Sequence, residues 1–185
     1  MNEHYLQLAR KRADTDWAPY LQPEDFGYDF REWVSPYTKS AHKVGGTALI
    51  LQDWASADGL AGGINPVIQQ HGRIPTLLTN KRLDEVLRRV LKCGIADVYV
   101  TNAFPFIKPG GMSANIPLRD MLRAIREFTV RELELAQPSR VIALGSLTHR
   151  ALSRAGIDAL HVPHPAARGM TIDSYTETWR SALGA

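Results

Sequence analysis

The sequence predicts an α/β fold: one domain of three layers, with helices on both faces of a central, mainly parallel four-stranded sheet. Three observations predict it. From residue 46 onward, apolar runs of strand length alternate with amphipathic helical stretches. The strand runs, such as Ala48 to Leu51, are continuously apolar rather than alternating, as strands buried on both faces are. The chain has 185 residues, 44% hydrophobic and 22% charged, enough for one domain with a real core.

Each element has its own justification. The stretch "GTALILQDWAS" (46–56) starts the first strand and stops it at Gln52-Asp53-Trp54. "NKRLDEVLRRVLKCG" reads as an amphipathic helix. Leu83, Val86, Leu87, Val90 and Leu91 follow helical spacing, Asn80 is placed to cap the start, and Gly94 to stop it. "DVYVTN" is the second strand. "IPLRDMLRAIREFTVRELELAQP" is a long helix with Pro117 at its first turn and Pro138 beyond its end. "RVIALG", "SLTHRALSRAG", "ALHVPHP" and "SYTETWRSALG" complete the alternation as strand, helix, short strand and helix. Within one domain of residues 1–185, residues 1–45 read as a cap: a helix near 3–12, loops, and a short helix near 28–34, with scattered aromatics that anchor it to the α/β core of residues 46–185. Two long loops, 53–79 and 103–116, interrupt the rhythm, and long loops inside a compact domain are usually functional or mobile.

Composition narrows the function classes. No apolar run approaches the roughly 20 residues needed to cross a bilayer. Cys93 is the only cysteine, so an intramolecular disulfide and a four-cysteine metal or iron–sulfur site are both excluded within one chain. It reads as a small apolar side chain at a helix end. With no secretory pattern at the amino terminus, a cytoplasmic location is expected. The histidines lack metal-ligand spacing. The formal net charge is +3, and sixteen arginines stand against six lysines, which permits a nucleic-acid partner without demanding one.

In an open parallel sheet, ligands bind beyond the carboxyl ends of the strands. There the first strand delivers Gln52, Asp53 and Trp54, the second Thr101 and Asn102, the third Gly145 and Ser146, and the fourth His161 and then His164. Each polar group has an ordinary alternative. Asp53 fits a turn cap, Asn102 a loop tie, and His164 a surface loop. An acid, an amide and an imidazole at neighbouring strand ends fit a shared pocket better than three coincidences.

These residues resemble a family, the uracil-DNA glycosylase superfamily, over about Thr47 to Gly169. "LILQDWAS" looks like its first motif, in the family 1 form where an aspartate orients the hydrolytic water. "VYVTNAFPF" looks like the strand whose asparagine reads the uracil edge. "ELELAQPSRVIALGSLTHRAL" resembles the family 4 helix–strand–helix. "PHPAARG" is similar to the second motif, where a histidine contacts the base and the loop presses into the minor groove. Departures accompany the matches. Two positions that hold iron–sulfur cysteines in family 4 are Phe106 and Ile125, so no cluster is expected. Trp54 and Ala55 stand where family 1 has proline and the tyrosine that bars thymine, so Ala55 is expected to leave room at C5. No aromatic occupies the family's stacking position; Trp54 or Phe104 could stack instead, and both fit the core equally well. "GGINP" (62–66) looks like the first motif of mismatch-specific uracil/thymine glycosylases, but no strand precedes it, and the likeness is read as chance.

The resemblance implies a DNA-repair hydrolase that flips uracil out of the helix and cleaves its N-glycosidic bond, as a monomer, with DNA as partner and without cofactor or metal. Asp53 and His164 would be catalytic. Gln52, Asn102, Trp54, Ala55 and Phe104 would surround the base, and Ala167, Arg168 and Gly169 would form the DNA wedge. No lysine is placed to form a Schiff base at these motifs, so hydrolysis without lyase chemistry is expected. The rivals are the same chemistry on hypoxanthine, xanthine or C5-substituted uracil, a non-catalytic DNA-binding module on the same fold, and a nucleotide-binding enzyme, which no glycine-rich fingerprint supports.

Overall fold

A computed structural model describes residues 3–39 and 44–184. Four parallel strands, β1 (Thr47–Asp53), β2 (Tyr99–Phe104), β3 (Arg140–Leu144) and β4 (Leu160–Val162), form one sheet in the order β2-β1-β3-β4. The register pairs Leu51 with Asn102 and Asp53 with Phe104, so both site strands end at the same level.

Along each strand, alternate side chains enter opposite layers. Leu49, Leu51, Val100, Ile142 and Leu144 pack with Leu83 and Val86 of α4 (Leu78–Val86) and with Tyr175 and Trp179 of α8 (Ile172–Leu183). Ile50, Ala103 and Ala143 enter the other layer. That layer is a long helical rod plus α7 (Ser146–Arg154). The rod runs through α5 (Leu118–Ala124), a π-helical stretch (Ile125–Thr129) and α6 (Val130–Ala136), and buries Met121, Ile125 and Phe128. Each such buried side chain contributes about 1.5–3 kcal/mol from area alone. The short helices α2 (Ala57–Leu60) and α3 (Pro66–His71) lie in the long loop after β1. The three-layer α/β/α architecture is the one the alternation predicts.

The amino-terminal segment is fastened at three places. In α1 (Glu3–Asp14), Arg12 forms a buried ion pair with Glu132 at 2.7 Å and donates to the Val34 carbonyl. Trp17 stacks on Phe106 with centroids 4.5 Å apart. Ser35 and Thr38 both donate to the Val100 carbonyl, and Thr38 Oγ1 accepts from the Val100 N–H. The segment thereby covers the outer edge of β2, which a bare parallel sheet would leave unpaired.

Three local expectations are corrected. No helix forms at 28–34; Asp29 instead accepts from the Arg31 N–H in a side-chain turn, and a short 3₁₀ turn lies earlier, at Pro23–Phe26. Asn80 does not cap α4. The helix begins at Leu78, and the buried Asn80 amide donates to the Ile74 carbonyl, tying down the preceding loop. The extension of α4 ends at Leu91, where Lys92 rather than Gly94 takes the left-handed conformation (φ 56°).

Candidate active site

The site is built at the carboxyl edge of β1 and β2. Asp53, the last residue of β1, has a side chain only 8% exposed. Its Oδ1 accepts from the Gln52 amide at 2.9 Å. Its Oδ2 meets the ammonium of Lys108 at 2.9 Å. Lys108 is itself buried, and its Nζ also donates to the Met112 carbonyl at 2.6 Å. Sequence reasoning did not count Lys108 among the site residues. The loop after β2 curls back and lays Lys108 against the chain leaving β1, through a bridge between Ser56 and Lys108. A signal was present: Lys108 is the only charged residue between Asn102 and Arg119.

Asn102 lies on β2 opposite Leu51 and is buried. Its Nδ2 and Oδ1 are both shielded from solvent and have no hydrogen-bond partner. A buried amide without partners costs free energy, on the order of 1–3 kcal/mol per group. The expected alternative, a loop tie, is not what it does here. A donor and an acceptor are held ready side by side.

His164 follows β4 in a turn whose Ala167 N–H donates to the His164 carbonyl. The Ala166 N–H donates to His164 Nδ1 at 3.1 Å. An accepting Nδ1 assigns the neutral ring's proton to Nε2, which is left as a donor. Burial pushes the imidazole pKa below its ordinary value, and the negative charge of Asp53 opposes that shift, so the two groups feel one another. Gly145 stands between them at the end of β3 with φ 102°; a Cβ there would lie 3.6 Å from the His164 Cβ. That contact would be an ordinary one; glycine is favoured here by the positive φ, which L side chains rarely adopt.

Side chains from elsewhere hold this turn. Arg82 of α4 donates to the Pro165 and Met170 carbonyls at 2.8 and 2.6 Å, straddling the turn. The Tyr175 hydroxyl donates to the Pro163 carbonyl at 3.2 Å. Tyr37 comes from the amino-terminal segment. Burial raises its pKa to about 12, and Asp53 adds to that rise while Arg73 opposes it, which puts the phenol within reach of the site's field. Sequence reasoning missed Arg82 and Tyr37 as site residues, because both act across long separations.

The remaining expected residues divide. Phe104 is wholly buried and edge-packed on Tyr20 and Phe106, so it offers no face to a base. The Trp54 indole donates to the Gly72 carbonyl and packs edge-on against Tyr28 and Phe30, which makes it an anchor of the long loop. Ala55 is buried in the same apolar cluster, with Tyr28, Phe30 and Ile107. Ala167 is half-buried, while Arg168 and Gly169 are exposed at the tip of the His164 turn. His161 turns toward Ser146 (3.3 Å) and His149. Asn65 of "GGINP" caps α3 by accepting from the Val67 N–H, as a loop residue does. Phe106 and Ile125 share one apolar cluster with Trp17. Among the described residues, no group of three or more His, Cys, Asp or Glu is placed to hold a metal ion, and no helix is long and apolar enough to cross a membrane.

The chain matches no protein-family model and no curated protein.

Proposed function

We propose that this protein is a DNA glycosylase that removes uracil from DNA by hydrolysis and leaves an abasic site. One observation carries the reading. A fixed carboxylate (Asp53), a neutral imidazole presenting Nε2–H (His164) and an unpartnered buried amide (Asn102) share the ligand-binding edge of a parallel sheet. The motif resemblance gives this trio its roles.

Cleaving the N-glycosidic bond leaves positive charge on the sugar and negative charge on the departing base. Asp53, held at both oxygens, orients a water at C1′, and its charge favours the cationic sugar. His164 Nε2–H donates to the base oxygen on which negative charge collects. Keeping the imidazole neutral costs little at neutral pH, because burial already disfavours the imidazolium. Asn102 offers one donor and one acceptor to the uracil edge, and cytosine presents the reversed pattern. The base must leave the stack to reach so enclosed a site. The exposed Arg168 turn is the part of the edge suited to fill the gap it leaves. Lys108 is committed to Asp53 and the Met112 carbonyl, so base release without strand cleavage is the expected product.

The test is a single-turnover reaction on a labelled oligonucleotide with one uracil, followed by alkali, with hypoxanthine, xanthine and hydroxymethyluracil substrates in parallel. Wild type should yield an abasic product, and Asp53→Asn should slow it on the order of 100-fold. Tight binding of uracil-DNA with no product at high enzyme concentration would replace catalysis with recognition. Absence of both binding and release on every substrate would end the DNA reading.

A further inference from the structure

We propose that Lys108 is a positioning residue for this reaction: it fixes the Asp53 carboxylate in orientation. The inference deepens the glycosylase reading and rests on it. Lys108 is carried by a loop tied to the segment that leaves Asp53. The Ala57 N–H donates to the Lys108 carbonyl at 3.0 Å, and the Asp58 N–H to the Gly110 carbonyl at 3.1 Å. With its backbone pinned there, the side chain reaches back so that Nζ meets Asp53 Oδ2 at 2.9 Å and the Met112 carbonyl at 2.6 Å.

The need for such a partner follows from burial. The Asp53 side chain is 8% exposed and that of Lys108 2%. A carboxylate so enclosed loses most of the hydration that stabilises its charge, and an adjacent cation replaces it. The other ionisable groups that feel Asp53 do not supply that cation. Tyr37, from the amino-terminal segment, is a phenol whose pKa is pushed up to about 12. His164, from the turn after β4, is biased by burial toward its neutral form. Arg73 acts on Tyr37. Among the described residues, Lys108 is the cation in contact with Asp53. Gln52 and Lys108 each occupy one direction on one oxygen, and a carboxylate retains further lone-pair directions for a water. The pair therefore orients the carboxylate without using up its capacity to hold the nucleophile.

A purely structural ion pair and a positioning one differ in which kinetic quantity they move. Lys108→Met and Lys108→Arg are compared with wild type in single-turnover excision of uracil, and the maximal rate is measured apart from the DNA concentration that half-saturates it. Without the cation, Asp53 Oδ2 loses the contact that sets its direction, while the surface that grips DNA is unchanged. Lys108→Met is expected to lose maximal rate on the order of 10- to 100-fold, with half-saturation kept to within a few fold. Lys108→Arg, which keeps a cation against Asp53, should restore the maximal rate to within a few fold. An unchanged maximal rate in folded Lys108→Met, a loss confined to half-saturation, or no rescue by arginine would overturn the proposal. Should Lys108→Met fail to fold, Lys108→Gln carries the same comparison. If wild type releases no base, the glycosylase reading fails and takes the positioning role with it. If wild type releases base and Lys108→Met matches its maximal rate, the positioning role fails alone.

Discussion

Two buried ion pairs sit about the sheet, and they are built for different ends. Arg12 and Glu132 join α1 to α6 at 2.7 Å, with side chains 8% and 2% exposed. Lys108 and Asp53 meet at 2.9 Å, with side chains 2% and 8% exposed. Distance and burial do not tell them apart. Their settings do. The Arg12 guanidinium also donates to the Val34 carbonyl, which ties helix, rod and amino-terminal segment into one packed seam. Asp53 stands where β1 ends, beside the unpartnered Asn102 amide of β2 and within the field of His164. Buried charge alone thus does not mark a site. Nor do unpartnered buried polar atoms alone, since Glu132 Oε2 is one as well; what sets Asp53 and Asn102 apart is their place at the carboxyl edge of a parallel sheet, where ligands bind.

The sharpest way to break this contrast is to remove one cation from each pair. Arg12→Met leaves Glu132 buried without its partner, a carboxyl whose pKa burial already raises against the pull of Arg12. Removing one partner of a buried pair costs about 3–5 kcal/mol. Urea unfolding should show a loss of that size, while excision measured at low temperature, where the variant remains folded, stays near wild type. Lys108→Met should show the reverse emphasis, with a loss of maximal rate in the folded protein that Lys108→Arg restores. If Arg12→Met cost rate as heavily as Lys108→Met does, the division between a seam and a site would collapse.

Most of the fold was legible because buried parallel strands and amphipathic helices leave patterns within a few residues of one another. The run Ala48 to Leu51 and the stripe of Met121, Ile125 and Phe128 needed no knowledge of distant partners. Asp53, Asn102 and His164 could be placed at one edge for a related reason, since Asp53 and Asn102 lie in the carboxyl halves of recognisable strands and His164 just past one. What was not legible depends on long-range closure. Lys108 reaches Asp53 only because its loop folds back on Ser56, and Arg82 meets the Pro165 carbonyl from 83 positions away. Phe104 and Trp54, open in the sequence between stacking and core, could not be decided for a different reason. An aromatic at a strand end looks the same whether it faces a ligand or, as here, Tyr20 and Phe30. The predicted helix at 28–34 failed because local side-chain turns outcompeted it.

A second substitution sharpens the role of the edge itself. Asn102→Leu keeps the approximate volume and removes two polar atoms that have no partners. Deleting an unsatisfied buried group is close to neutral or stabilising. The melting temperature should hold or rise, while uracil excision falls on the order of 10- to 100-fold, the scale set by losing a hydrogen-bonding pair to the base. An Asn102 that merely supported the fold would give the opposite pairing, with stability lost and rate kept in proportion to the folded fraction.

The smallest expected effect concerns His164 and separates its state from its surroundings. Its folded pKa lies below the unfolded value because burial disfavours the imidazolium. The unfolded chain therefore binds the proton more readily. The stability that comes from keeping the ring neutral is complete above about pH 6.5 and is lost as pH falls through that value toward the folded pKa. Protonation would also place a hydrogen on Nδ1, where the Ala166 N–H already donates, so the turn could not keep its hydrogen bond. Wild type should lose more melting temperature between pH 7.5 and 5.5 than His164→Asn does. The same shift at His161, which is pushed down by partial burial and by His149, is present in both proteins and cancels in the difference. Identical pH dependence in the two would mean that the imidazole is as free to charge in the folded turn as in the open chain. The fixed Nε2–H donor, and with it the half of the proposed site that faces the departing base, would then have no support.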